Sequence, residues 1–180
     1  ALTLTVGGAV TLTAAVEPAD AANQNVTWSS DKPAIAAVDN GVVTAVSVGT
    51  ATITVTTVEG SHQATCTVTV NPVSVTGVTL DQETLTLTAG GATGTLTATV
   101  APADAANKNV TWASSNEAVA TVADGVVTPV AAGQAMITVK TVDGGKTATC
   151  TVTVQAAAVP VTGVTVAPTT LTLTAGGATG

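Results

Sequence analysis

Hydrophobic and polar residues alternate along most of this 180-residue chain. In residues 95–100, for example, Thr occupies every second position, and Leu, Ala and Val occupy the positions between. A period of two residues is typical of strands that bury one face, and the outward Thr side chains favour an extended backbone. No stretch has the sustained i, i+3, i+4, i+7 apolar spacing of an amphipathic helix. The pattern therefore predicts a chain of β-strands.

Turn sequences separate the predicted strands at short intervals. DNG at 39–41 and ADG at 123–125 predict tight hairpins, because Asn and Gly tolerate positive φ. VEGSH at 58–62 and VDGGK at 142–146 predict a second hairpin of the same kind in each half. Seven or eight short strands joined in this way predict an antiparallel sandwich of two sheets. Pro129 lies within one of these strands, which predicts an edge strand because Pro donates no hydrogen bond to a neighbour.

The chain repeats itself. Trp28 and Trp112 are 84 positions apart in the phrases NVTWSS and NVTWAS, and Cys66 and Cys150 have the same spacing. VTGVTVAPTTLTLTAGGATG at 161–180 repeats VTGVTLDQETLTLTAGGATG at 75–94, so a third copy begins near the C-terminus. We predict three segments: residues 1–71, a repeat lacking its first strand; residues 72–157, a complete repeat; and residues 158–180, the opening strands of a further repeat.

The Trp and Cys residues are predicted to be structural core residues. Since the chain has no Phe and no Tyr, one indole per repeat supplies the large side chain that fills each core, and we predict that Trp28 and Trp112 lie on central strands. A surface Trp that stacks on sugar is the alternative. Cys66 and Cys150 alternate with Val, which predicts small, buried core side chains. A reactive or intermolecularly paired thiol is the alternative for them.

Charge excludes two classes of partner. Four Lys oppose eleven acidic residues, giving a net charge of −7. Nucleic acids and anionic membrane surfaces require clustered basic residues, so neither is predicted as a partner. A membrane span is not predicted either, because no apolar run approaches the required length of about 18 residues.

The sequence offers no reactive site. His62 is the single His, and no Cys or second His is placed to form a catalytic triad or a zinc site with it. Asp39, Asp124 and Asp143 each stand next to or near Gly, which is typical of turns, and calcium binding is the alternative interpretation. We therefore predict no catalytic, cofactor-binding or metal-binding residues and no enzymatic activity. The sequons at 25–27 and 109–111 are interpreted as strand openings rather than glycosylation sites.

Several blocks of sequence together resemble the group 2 bacterial immunoglobulin-like domain. They are VTGVTL, LTLTAGG, NVTWAS, GVVTPVAAGQAMITV and KTATCTVTV, and they occur in order over essentially the whole chain. The resemblance implies an all-β fold of tandem immunoglobulin-like antiparallel β-sandwiches. It also implies an extracellular location, on bacterial surface proteins, adhesins or phage structural proteins, and no general catalytic site. The departures from the family pattern are Pro129 and the missing VTGVTL block of the first repeat.

The expected function is that of a structural module: a tandem rod or filament element that spaces or displays other elements on a bacterial cell surface or a phage virion. Recognition of a host glycan or protein is the alternative. The first interpretation is favoured because PADAANQN and PADAANKN are nearly identical, whereas a dedicated recognition loop is expected to differ in one copy. The expected partners are neighbouring repeats or other copies of the chain.

The missing first strand leaves a gap in the first repeat. Ala1 aligns with Thr84, so nothing in residues 1–71 corresponds to VTGVTL, and a sheet edge is left open. Two interpretations of residues 158–180 follow. They begin a further domain of a continuing array, or they add a strand to the first repeat of a neighbouring copy. The array is favoured, because residues 170–180 duplicate residues 1–11 and strand addition leaves that duplicate without a place.

Overall fold

The computed structural model describes residues 1–167, 169–172 and 175–176, and this part of the chain contains strands and no helix. We call residues 2–71 the first unit and residues 73–155 the second unit. The strands of the first unit are β1 (Leu2–Thr5), β2 (Ala9–Thr11), β3 (Val26–Ser30), β4 (Ala36–Asp39), β5 (Val42–Ala45), β6 (Gly49–Thr57) and β7 (Gln63–Asn71). Those of the second unit are β8 (Gly77–Leu80), β9 (Thr84–Thr88), β10 (Gly94–Thr95), β11 (Ala98–Ala101), β12 (Val110–Ser114), β13 (Ala120–Ala123), β14 (Val126–Pro129), β15 (Gly133–Thr141) and β16 (Thr147–Gln155).

Each unit has one four-stranded and one three-stranded sheet. The orders are β1-β7-β6-β3 and β2-β5-β4 in the first unit, and β9-β16-β15-β12 and β10-β14-β13 in the second. The second unit also has a two-stranded sheet, β8-β11. The all-β, immunoglobulin-like sandwich fold is thus confirmed. One pair in each unit, β1 with β7 and β9 with β16, is parallel, because the chain crosses between the sheets before it returns to its first strand.

The core of each unit lies between its two large sheets. Ile53 and Ile137, in the middle of β6 and β15, are among the largest fully buried side chains. Around Ile53 pack buried residues of β4, β5 and β7, and around Ile137 pack their counterparts. Thr67 and Thr69 alternate with the buried Val68 and Val70 and are exposed. The period-two pattern of the sequence therefore separates the core from the surface.

The two Trp residues lie on edge strands. Trp28 is in β3 and Trp112 is in β12, each the last strand of its four-stranded sheet, so the prediction of central strands is wrong. Both indoles are half-buried against the core of their unit. A tight turn covers each one, since a Cβ built on Gly41 would lie 3.4 Å from Trp28 Cζ2 and a Cβ on Gly125 would lie 3.2 Å from Trp112 Cζ2.

Pro129 does not mark an edge strand. It ends β14, which lies between β10 and β13, so that prediction is wrong too. In the first unit the equivalent Ala45 donates its N–H to the carbonyl oxygen of Gly8 at 2.8 Å. In the second unit the neighbouring strand β10 pairs only with Val126 and Val127 and stops before it reaches Pro129. Pro129, which has no N–H to donate, is therefore tolerated because the neighbouring strand β10 is short, and not because β14 is an edge strand.

After Gln155 the described residues are in no strand. The side chains of Val159, Val161 and Val164 are 91%, 91% and 96% exposed. Residues 168, 173–174 and 177–180 lie outside the described part of the chain. The expectation that 158–180 holds opening strands of a further repeat stays a prediction.

Candidate functional site: a groove along the first unit

In the second unit, residues 73–80 cover one side of the sandwich, and we call them the cover segment. Its strand β8 pairs antiparallel with β11, with Val78 opposite Val100. Ahead of β8, the N–H of Val75 donates to the Asp143 carboxylate at 2.9 Å, and the carbonyl oxygen of Val73 accepts from the N–H of Ala106 at 2.9 Å. The segment is therefore fixed by a strand pair, a loop and a hairpin.

The side chains of the cover segment contribute to the interior. Val75 is 4% exposed and Val78 is 8% exposed. Leu80 packs against the buried cluster that contains Cys150 and Ile137. The cover segment is thus an apolar lid on the second unit as well as an added strand.

The first unit has an open groove where the second has its cover segment. Residues 14–17, which correspond to β11, form no strand. The groove has a volume of about 750 Å³. Its lining consists of residues 14–18 and 21–23, together with Val26, Val55, Thr57, Glu59, Gly60, His62, Gln63 and Ala64. Among them, residues 14–17, Ala22 and Glu59 are equivalents of residues that pair with or bond to the cover segment.

The open groove lowers burial around it. Val139 of the second unit is fully buried, whereas the equivalent Val55 is half-buried. Ala105 is buried beside the cover segment, and the equivalent Ala21 is half-buried. Apolar groups at the groove are therefore less buried than their equivalents in the second unit.

The polar residues at the groove form hairpin and turn contacts. The N–H of His62 donates to Thr57 Oγ1, and its carbonyl oxygen accepts from the Thr57 N–H, both at 2.9 Å. Both bonds are made by the backbone of His62 rather than by its imidazole. Within the described residues, no group of three or more His, Cys, Asp and Glu side chains is arranged to hold a metal ion.

The acidic turn residues have different surroundings. Asp39 and Asp124 are exposed at the tight hairpins, and Asp124 has a positive φ of 48°. Asp143 binds the backbone of the cover segment through its carboxylate. Asn25 and Asn109 are exposed just before β3 and β12, and each donates its N–H to the side-chain oxygen of the Asn two residues earlier at 3.0 Å.

The two thiols also differ in their surroundings. Both are free, Cys66 half-buried and Cys150 fully buried. Burial, together with the negative charge of Asp81, raises the pKa of the Cys150 thiol. The pKa of Asp81 is itself lowered, first by the hydrogen bond from the Thr97 N–H at 2.8 Å. This difference could not be predicted from the residues around the thiols, because the CTVTV phrases that contain the two Cys residues are identical.

Two tandem immunoglobulin-like sandwiches, the first with an open groove, place the chain in the class of repeated β-sandwich domains. The profile of the bacterial Ig-like domain (group 2) family matches residues 1–68 and 74–152. The chain belongs to that family. The part of it that the structure describes holds no helix of the length and apolarity needed to cross a membrane.

Individual relatives share one or both units. An Ig-like virion protein of Serratia phage KSP90 is 47% identical over 157 residues, which cover 84% of this chain and 60% of that protein. An α-L-arabinofuranosidase of Bifidobacterium longum subsp. longum is 61% identical over 61 residues, 33% of this chain and 6% of that enzyme. Domains 1–6 of the surface layer protein SbsC align with 76% of this chain and 20% of theirs, at 28% identity and a TM-score of 0.45. The chain spans less than two thirds of each of these proteins.

Proposed function

We propose that the chain is a non-catalytic structural module on the outer surface of a phage virion, where its units space and display other elements. The observation that carries this proposal is the 47% identity to an Ig-like virion protein over 157 residues. That length exceeds a single unit, so the likeness extends over the tandem arrangement. A bacterial cell surface is the alternative location.

The construction of the two units supports a spacing role. The last strand of the first unit ends at Asn71, and the carbonyl oxygen of Val73 is already bound to the second unit. Pro72, whose φ is fixed by its ring, lies between them. A connection this short restricts bending between the units.

The chemistry of the groove supports the absence of catalysis. His62 is bound through its backbone, and half of the groove-lining residues are Ala or Val. A hydrolase needs a nucleophile or an acid–base pair held at a reacting bond. The arabinofuranosidase does not argue otherwise, since the shared 61 residues are 6% of that enzyme.

Electron microscopy of labelled particles tests the proposed location. Gold-labelled antibodies against the 180-residue chain are expected to decorate the outside of intact phage particles, while antibodies against a packaged internal protein label only disrupted ones. Labelling of the bacterial envelope but not of particles would instead indicate a location on the bacterial cell surface. Selective, strong binding of the chain on a glycan array would contradict a purely structural role.

A further inference from the structure

We infer that Asn40, at the tip of the hairpin between β4 and β5, is a site of self-modification, where the side-chain amide is converted to a carboxylic acid through a cyclic imide. The reaction consumes water and releases ammonia. Three observations carry the inference: an exposed Asn that precedes Gly, a backbone N–H without an acceptor beside it, and a second hairpin of the same shape that holds Asp at this position. The inference is independent of the proposed function.

Asn40 is the one Asn of the chain that precedes a Gly. Larger residues follow the other six, which are Asn23, Asn25, Asn71, Asn107, Asn109 and Asn116. Because Gly has no Cβ, its backbone nitrogen approaches a neighbouring group more closely than that of another residue does. Asn40 is also exposed, so water reaches its amide. The sequence and the exposure together single out this amide among the seven.

The backbone N–H of Gly41 is available as the attacking group. Asp39 and Val42 pair across the hairpin, and the N–H of the second turn residue lies outside that pair. The carbonyl oxygen of Gly41 accepts from the Leu12 N–H at 2.8 Å, whereas its N–H has no backbone acceptor among the described residues. Removal of its proton by base therefore breaks no backbone hydrogen bond.

The chemistry follows from the adjacency of the two groups. After hydroxide removes the amide proton of Gly41, the nitrogen attacks Cγ of Asn40, the bond from Cγ to the side-chain nitrogen breaks, and ammonia leaves with a proton from water. The five-membered ring forms readily because both groups belong to one chain. Water then opens the ring. Cleavage of the new bond gives Asp, and cleavage of the original peptide bond gives isoaspartate, whose backbone runs through Cβ and Cγ.

The second unit already carries the first of these products. Asp124 occupies the position equivalent to Asn40, and φ is 48° for both. Gly41 and Gly125 follow with φ of 84° and 82°, and Asn and Asp are the residues that tolerate such a turn besides Gly. The hairpin therefore accommodates Asp at position 40 without a change of shape.

Isoaspartate does not fit the hairpin in the same way, because it adds one carbon atom to the backbone of a two-residue turn. Gly41 has little room to move. A Cβ built on it would lie 2.6 Å from the Leu12 carbonyl oxygen and 3.4 Å from Trp28 Cζ2. The longer backbone must displace Gly41 from these neighbours, so the isoaspartate form of the first unit is expected to be less stable.

Mass spectrometry of peptides from the 180-residue chain, incubated at pH 8, tests the inference. The peptide that contains Asn40 is expected to change from amide to acid about tenfold faster than any other Asn peptide, a difference of about 1.4 kcal/mol in activation free energy. Isoaspartate is expected among the products, detected by methyl transfer with an isoaspartate methyltransferase. It distinguishes the cyclic imide from direct hydrolysis of the side chain, which gives Asp alone.

Two exchanges between the hairpins provide matched variants. Asn40→Asp removes the reactive amide and is expected to release no ammonia from the first unit and to leave its urea midpoint unchanged. Asp124→Asn transfers the amide to the second unit and is expected to be modified at position 124 at a rate similar to that of Asn40. Each exchange introduces a residue that the other hairpin already holds, so both chains are expected to fold.

The fluorescence of Trp28 reports the effect of the modification on the first unit. In a Trp112→Phe chain, incubation is expected to produce a fraction that unfolds at lower urea, in proportion to the isoaspartate found. The same chain with Asn40→Asp is expected to keep a single midpoint after the same incubation. A fraction of isoaspartate that unfolds at the original midpoint would overturn the assigned contact between the turn and Trp28.

Three results would overturn the site itself. The first is modification of Asn40 no faster than that of the other six Asn residues. The second is formation of Asp without isoaspartate. The third is an Asp124→Asn chain that is modified at Asn40 but not at position 124, since the two hairpins share the geometry from which the site is inferred.

Discussion

The two units have similar sequences and the same two large sheets, yet they differ in how well the sheets are covered. The second unit has its cover segment, and Val139 and Cys150 beneath it are fully buried. The first unit has a groove of about 750 Å³ instead, and the equivalent Val55 and Cys66 are half-buried. Ile53 and Ile137 are buried alike at 1% and 0% exposure.

This difference separates the part of the sequence that specifies the sandwich from the part that covers it. The four-stranded and three-stranded sheets have the same strand order in both units, so the cover segment is not required for that order in the structure. What the segment adds is a strand pair with residues 98–101 and a hydrogen bond to the Asp143 carboxylate.

The largest expected effect is a difference in stability between the units. Burial of Val75 and Val78 stabilises the second unit by about 1.5 kcal/mol or more for each side chain, and the entropy cost of ordering the cover segment opposes this. We expect the second unit to be more stable by about 2–3 kcal/mol. Single-Trp chains, Trp28→Phe and Trp112→Phe, report one unit each in urea titrations followed by fluorescence at low micromolar concentration.

A variant sharpens this comparison. Val78→Asp places a charge on the buried face of the cover segment and is expected to bring the urea midpoint of the second unit close to that of the first. Thr79→Asp, at the exposed position next to it, is the matched control and is expected to change the midpoint little. Coincident midpoints of the two units in the unmodified background would show that the cover segment contributes no net stability.

A smaller loss of stability is expected when the hydrogen bond between the hairpin and the cover segment is removed. Asp143→Ala removes the acceptor of the Val75 N–H, a part-buried hydrogen bond of 2.9 Å, and is expected to cost the second unit about 1.5 kcal/mol. Glu59→Ala is the matched change in the first unit, where the cover segment is absent, and is expected to stay within about 0.5 kcal/mol. Equal losses in the two units would mean that the carboxylates act on their own hairpins rather than on the cover.

The sequence predicted the sandwich and the tandem repeat, because each depends on local patterns or on alignment of the copies. It did not predict which strands are neighbours. Alternation assigns each side chain to a face of a sheet, whereas neighbours are set by how the chain crosses between sheets. For this reason Trp28 was expected on a central strand and lies on an edge, and Pro129 was expected on an edge and lies in a central strand.

The sequence also could not predict the size of the groove. The alignment shows that VTGVTL has no counterpart in residues 1–71, but the same residues 14–17 and 55–64 could have closed over the gap. The structure shows instead that the space stays open as a groove of about 750 Å³. Part of its lining belongs to the paired strands β3, β6 and β7, and closing the gap from that side would break strand pairs.

The smallest expected effect is a difference in reaction rate between the two thiols. Thiols react as thiolates, and burial both blocks a reagent and raises the pKa. The raised pKa of the fully buried Cys150 thiol lowers its thiolate fraction at any given pH, so Cys66 is expected to react about tenfold faster with a disulfide reagent at pH 8 in the folded chain. Cys66→Ser and Cys150→Ser chains each leave one thiol to follow by absorbance.

A further condition tests whether the difference between the thiols comes from the fold. In concentrated urea the two rates are expected to become equal, since the CTVTV phrases around Cys66 and Cys150 are identical. Equal rates for the two thiols in the folded chain would contradict the difference in burial between Cys66 and Cys150.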